Sequence, residues 1–293
     1  MGNRVIRYAI LALLAPGALL GTSSSAIAGE PTGEYAVFKE CPLSVPLIDS
    51  CVYSVTTGGS VTIGSTSVPI VNEIIFQGGE TREVVGEKEF RSFVGAANGE
   101  TLVKAPQPVP GGLAGLVKCN EIHSVLGRVT CETVFQNGAT GVNATTELVG
   151  PAQYSFNMLA SRRAGLVMPV RVRLENPLLG DGCYIGSASE PITLHLTTGT
   201  TSPPPPAQPI SGEVSGVHFT GGGAILFADH VSVVDNSFSV PTARGCGGPL
   251  LASAIDPVVN GKIGLPSPAG ENTAILSGHL EQAAAYFVML SEG

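Results

Sequence analysis

The stretch Pro169 to Pro206, PVRVRLENPLLGDGCYIGSASEPITLHLTTGTTSPPPP, decides how the rest of the chain is read. In Val170-Arg171-Val172-Arg173-Leu174, and again in Ile192-Thr193-Leu194-His195-Leu196, apolar and polar residues alternate with period two. That alternation marks a strand with one buried and one wet face. Between the two runs, Asn176-Pro177 and Gly180-Asp181-Gly182 are turn formers, because proline fixes φ and glycine accepts positive φ without steric cost. The unit therefore reads as two half-buried strands around a glycine turn that carries Cys183. Four consecutive prolines follow it, and Ser202 to Pro209 has the composition of an extended polyproline II spacer.

Working outward toward the N-terminus, Glu34 to Glu40 alternates as a first strand, and Cys41 to Cys51 is too proline-rich to continue it. Val52 to Thr56, Ser60 to Ile63 and Ile70 to Phe76 then form a meander, broken at Gly58-Gly59. The acidic segment Glu80 to Glu89 is expected to be a solvated connection, since it lacks the carboxylate spacing and turn glycine of a calcium loop. Pro106, Pro108 and Pro110 break the chain before a strand pair that brings Cys119 toward Cys131. Asn143-Ala144-Thr145 fits the glycosylation acceptor pattern and is read as a surface turn. Tyr154 to Arg163 mixes helix and strand formers.

Toward the C-terminus, Gly221-Gly222-Gly223 lacks the lysine and hydroxyl residue of a phosphate loop and reads as a hairpin connection. Val231 to Val240 alternates as a strand. Pro249 to Ile263 can hold a short helix that stops near Pro257 or Gly261. Ala274 to Met289 closes the chain as one long or two short strands. Period two recurs throughout, so the expected fold is all-β, an antiparallel β-sandwich type with few short helices, stapled by disulfides.

The N-terminus carries Arg4 and Arg7, an apolar run from Tyr8 to Leu20, and Ala26-Ile27-Ala28, the three regions of a secretory signal peptide. The run is shorter than the roughly 20 residues of a spanning helix, and Pro16 and Gly17 interrupt it. Cleavage after Ala28 would leave residues 29–293 as a secreted, extracellular chain with no stable membrane anchor. Of the 15 basic and 23 acidic residues, the signal takes two arginines and no carboxylate, so the remainder has a net charge of −10. That balance excludes nucleic acid as a partner.

Six cysteines in an exported chain point to disulfides, and none stands in a C-x-x-C pair. Cys41, Cys51, Cys119, Cys131 and Cys183 precede the proline run, and only Cys246 follows it, so complete pairing requires a bridge across the run. Cys41 with Cys51 and Cys119 with Cys131 are the local pairs, which leaves Cys183 for Cys246. Such a bridge would hold the segments on both sides in one packed unit.

No metal-ligand spacing or nucleophile elbow appears, and no cofactor is expected. The histidines are His123, His195, His218, His230 and His279, none in a catalytic motif. Asp229-His230 with Ser232 and Asp235 comes nearest to one, but neighbours on a strand face opposite sides, so Asp229 would not orient His230. The leading expectation is a non-catalytic protein with a structural or binding role in the cell envelope or outside the cell. The alternatives are a hydrolase whose site is assembled from distant residues, and an envelope β-barrel. A barrel's aromatic girdles are hard to build from a chain without tryptophan and with 5% aromatics.

The segments ENPLLGDGCYIGSASEPITLHLTTGTTSPPPPAQPISG, VVDNSFSVPTARGCGG and KIGLPSPAGENTAIL resemble a family of uncharacterised secreted proteins of actinomycete bacteria. The likeness covers roughly residues 165 to 290. It implies export and assigns no activity.

Overall fold

The computed structural model describes residues 29–113 and 141–292. The signal segment, Cys119, Cys131 and His123 lie outside the described residues. In chain order the elements are β1 (Ile48–Ile63), β2 (Thr66–Pro69), β3 (Ile74–Val85), β4 (Lys88–Gly95), β5 (Gln107–Pro108), β6 (Asn143–Leu148) and β7 (Gln153–Tyr154). Then come α1 (Phe156–Ala160), β8 (Ala164–Glu175), β9 (Tyr184–Ile185), β10 (Ile192–Thr197), β11 (Glu213–Thr220) and β12 (Ile225–Asp235). The chain closes with β13 (Ala243–Arg244), α2 (Gly248–Ile263), β14 (Thr273–Ala284) and α3 (Ala285–Leu290).

These strands join one antiparallel sheet whose main path is β13-β9-β8-β10-β12-β14-β1-β3-β4. The sheet curls into a sandwich-like half-barrel, with few short helices and two disulfides. The opening pair of runs forms β8 and β10, in register Ile192↔Val170 and His195↔Val167. Their inward residues Val170, Leu174, Ile192, Leu194 and Leu196 are buried, while His195 is exposed. Phe76 and Phe93 stack across the neighbouring strands β3 and β4, and curling brings this end over the β7–β8 end, so that both rings approach Tyr154, at 6.2 and 6.0 Å.

One apolar core lines the concave side and holds Val52 and Phe76 together with Leu194, Val233 and Leu280. Strands on both sides of the proline run therefore share a sheet and a core. A smaller cluster on the convex side packs Phe38 and Val288 over the Cys41–Cys51 bridge. Cys183–Cys246 is bonded within the main core.

Several local readings are corrected. Glu34 to Glu40, expected as a strand, instead follows a 3-10 helix over Gly33–Phe38, whose i, i+3 spacing puts Tyr35 and Phe38 on one side against the convex cluster. The Gly58-Gly59 break is no turn: β1 runs through it, with a bulge between Thr56 and Gly58 where it pairs with β14. A Cβ on Gly59 would lie 2.0 Å from the Ile275 carbonyl oxygen, so glycine serves close strand approach there. Asn143-Ala144-Thr145 opens β6 rather than forming a turn.

Helix α2 continues past Pro257 and Gly261 to Ile263. Proline removes the donor for the Ser253 carbonyl, but Ser253 and Pro257 lie on the exposed face, where water can replace it. The opposite face is anchored: Asp256 accepts from the N–H groups of Gly245 and Cys246, and Asn260 both donates to and accepts from the Ala243 backbone. Beyond Ala284 the chain turns helical instead of continuing as a strand, burying Ala285 and Val288 against the convex face.

The proline run goes out and back in place of an extended spacer. Thr201 N–H donates to the Ile210 carbonyl at 2.8 Å, closing its base, and the chain turns at the cis Pro205-Pro206 bond. The loop packs closely enough on Gly270 that a Cβ there would lie 2.4 Å from the Pro204 carbonyl oxygen.

Candidate functional site

Period-two alternation sends even-numbered residues of the first half of β1 inward, and Phe76, Gly78 and Glu80 of β3 share that side. The inward series is apolar in its middle and polar at one end, and this gradient produces two hollows. The first is a cavity of about 130 Å³ inside the curl. Phe76, Leu166, Met168, Leu194, Val233 and Leu280 line its floor, and half-buried Val61, Ile63 and Val68 of the β1–β2 hairpin form a rim. A dry apolar cavity of about 150 Å³ accepts a benzene-sized guest. This hollow is suited to an aromatic ring or a short aliphatic chain.

The second hollow, of about 310 Å³, lies at the polar end of the same series. Glu80 is 2% exposed, and burial pushes its carboxyl above the ordinary 4.5, against the opposing pull of Gln282, Arg91 and Ser50. Its Oε2 accepts from Gln282 Nε2 at 2.8 Å and from Ser50 Oγ at 3.4 Å. The same amide nitrogen donates to Ser50 Oγ at 2.8 Å. Gln282 Oε1 accepts from the Tyr154 hydroxyl at 3.2 Å, and that buried phenol is pushed well above 10 by burial and by the Glu80 charge. Tyr154 lines the apolar cavity and Gln282 the polar hollow, so this hydrogen bond is their shared wall.

Arg91 stands at the edge of the polar hollow. Its guanidinium reaches Asp49 Oδ2 at 3.1 Å and Glu89 Oε1 at 2.6 Å. Arg82 also holds Glu89, at 3.1 Å. The expected solvated acidic segment is thus a β3–β4 hairpin in which Glu83, Glu87 and Glu89 are exposed and Glu80 is not. Neither the buried carboxylate nor Gln282 was singled out by sequence reasoning. Parity could have found Glu80, since it follows Phe76 and Gly78 on the inward side of β3.

The histidine candidates lie elsewhere. Asp229 and His230 are exposed in a bulge of β12, and the imidazole that Asp229 approaches is His218 on β11, at 3.6 Å. His218 and His279 flank Phe227 on the convex face, with centroids 5.3 and 5.6 Å away. Neither His218 nor His230 lines either hollow. Asp235 is structural: it takes the backbone N–H of His195 on Oδ2 and of Ser237 on Oδ1. His195 is exposed on β10. The four described disulfide cysteines are all bonded, and among the described residues no cluster of three or more His, Cys, Asp or Glu could hold a metal. No protein-family model, curated protein or solved structure matches the chain.

Proposed function

We propose that the chain is a secreted, non-catalytic binding protein that takes a small apolar molecule into the concave side of its curled sheet. The observation that carries this reading is the 130 Å³ cavity, walled almost wholly by aliphatic and aromatic side chains. Export is supported by the signal-like N-terminus and by buried disulfides, which persist on the oxidising side of a membrane. An apolar interior is also the inverse of a porin, whose lumen is polar. Toluene binding followed by calorimetry or by methyl chemical shifts tests the reading. Ala144, half-buried on the cavity wall, becomes Leu in a variant designed to fill the hollow. Wild type should bind toluene and Ala144→Leu should not; equal binding by the two, or none by either, would remove the reading. N-terminal sequencing of secreted material should begin at Gly29.

A second reading, a secreted hydrolase, is favoured by the presence of Asp49 and the buried Glu80 in one hollow. Paired carboxylates in unlike surroundings are a recurrent acid–base device. Here Asp49 is held by Arg91 and Glu80 by Gln282, an arrangement that supports binding as readily as catalysis. Turnover of chromogenic glycosides or esters that disappears in Glu80→Gln would establish the enzyme.

A further inference from the structure

The polar hollow carries an unbalanced charge that selects its guest. Glu80 is almost fully buried, and both of its hydrogen bonds fall on Oε2, leaving Oε1 without one among the described residues. The nearby guanidinium of Arg91 is already engaged by Asp49 and Glu89. Counting Asp49, Glu80 and Glu89 against Arg82 and Arg91, the cluster keeps one excess negative charge when Glu80 is ionised. An anion is therefore repelled, and a monovalent cation completes the set.

The remaining walls decide what kind of cation. Phe156, Phe219 and Leu226 supply apolar faces, and Ser155 and Asn157 supply polar groups beside them. Phe219 is 64% exposed, a large apolar side chain left in water at the edge of the hollow. A volume of about 310 Å³ is at the lower end of small-molecule pockets, which begin near 300 Å³. We propose that this hollow binds a small primary amine as its ammonium ion, with the –NH₃⁺ group donating to Glu80 Oε1 and an apolar body resting on Phe156, Phe219 and Leu226. Three donors on one nitrogen suit a hollow whose lining includes Ser50 and Ser155 beside the Glu80 carboxylate, and a charge-assisted bond to a carboxylate is about twice as strong as a neutral one. An aromatic ring within about 6 Å of the ammonium adds cation–π attraction. Binding also returns a counter-charge to a carboxylate whose charged form burial disfavours. This site is separate from the apolar cavity and does not rest on the function proposed for it.

The test uses the whole secreted chain and phenethylammonium chloride as probe, by calorimetry at neutral pH and physiological salt, beside 2-phenylethanol and 3-phenylpropionate. The ammonium ion should bind at least tenfold more tightly than the alcohol, and the carboxylate should not bind. Glu80→Gln, which keeps the hydrogen bonds from Gln282 and Ser50, should weaken the amine at least tenfold. Phe219→Ala, at an exposed position that folding does not depend on, should weaken it severalfold. Ala144→Leu in the other cavity should leave amine binding unchanged, which separates this site from the apolar one. Equal affinity for amine and alcohol, unchanged binding in Glu80→Gln, or no binding by folded wild type would each overturn the proposal.

Discussion

Asp235 shows how a side chain can substitute for missing sheet pairing. The ladder between β10 and β12 has a single pair, Thr197↔Val234, and Asp235 spans the gap by accepting from the His195 backbone N–H at 2.7 Å. Asp235→Ala would leave two N–H groups without their acceptor, and each unsatisfied buried donor costs about 1–3 kcal/mol. A loss of about 2–4 kcal/mol in urea unfolding is expected, with the slope unchanged. Glu80 predicts the opposite sign. Its folded pKa is raised above 4.5, so its favourable contribution is complete below that value and is lost as pH rises through the folded pKa. Glu80→Gln should therefore melt about 2–4 °C above wild type at pH 7, and the advantage should vanish below pH of about 4.5. A pH series of melting curves on both proteins checks the sign.

Among the elements, α2 depends most on what surrounds it. Its interior proline and its glycine disfavour helix, yet Asp256 and Asn260 fasten it to the Gly245-Cys246 turn and to β13. The same turn is tied to the Cys183 turn by a disulfide with a sequence separation of 63. In the chain-entropy model, removing a link across a loop of that size costs about 4 kcal/mol. Cys183→Ser with Cys246→Ser should lower stability by roughly that amount, and α2 amides should lose more hydrogen-exchange protection than those of β1 or β14. If protection falls uniformly, the bridge does not hold α2 in particular.

At the scale of the whole molecule, the curl leaves space that the side chains do not fill. Void volume costs about 24 cal/mol per Å³ where a core cannot relax around it. Ala144→Leu should accordingly raise stability by about 1 kcal/mol, less than the full void cost because one side chain fills only part of it. The variant that loses toluene should thus be the more stable one, and one thermal scan with and without toluene reads both effects. A drop in stability would mean that the cavity is narrower than its lining implies.

The strands β8 and β10, and the second half of β12, were legible in the sequence because each has its own inward and outward residues, and alternation is a local property; the strand expected over Val231 to Val240 ends instead at Asp235. The Cys183–Cys246 pairing was legible because the count of cysteines around the proline run left few choices. What the sequence could not decide was whatever depends on a second surface. Gly58-Gly59 reads as a turn until β14 lies beside it, where only glycine lets the Ile275 carbonyl approach. Glu34 to Glu40 and the last residues of the chain read as strands until the convex face offers Phe38 and Val288 a common place to bury. Glu80 looks like one more surface carboxylate, because the groups that meet it, Gln282 and Ser50, stand 202 and 30 residues away in the chain. Local alternation thus determined which segments are strands, whereas the curl of the sheet, and the hollows and buried charge that result from it, were decided by contacts between residues far apart in the chain.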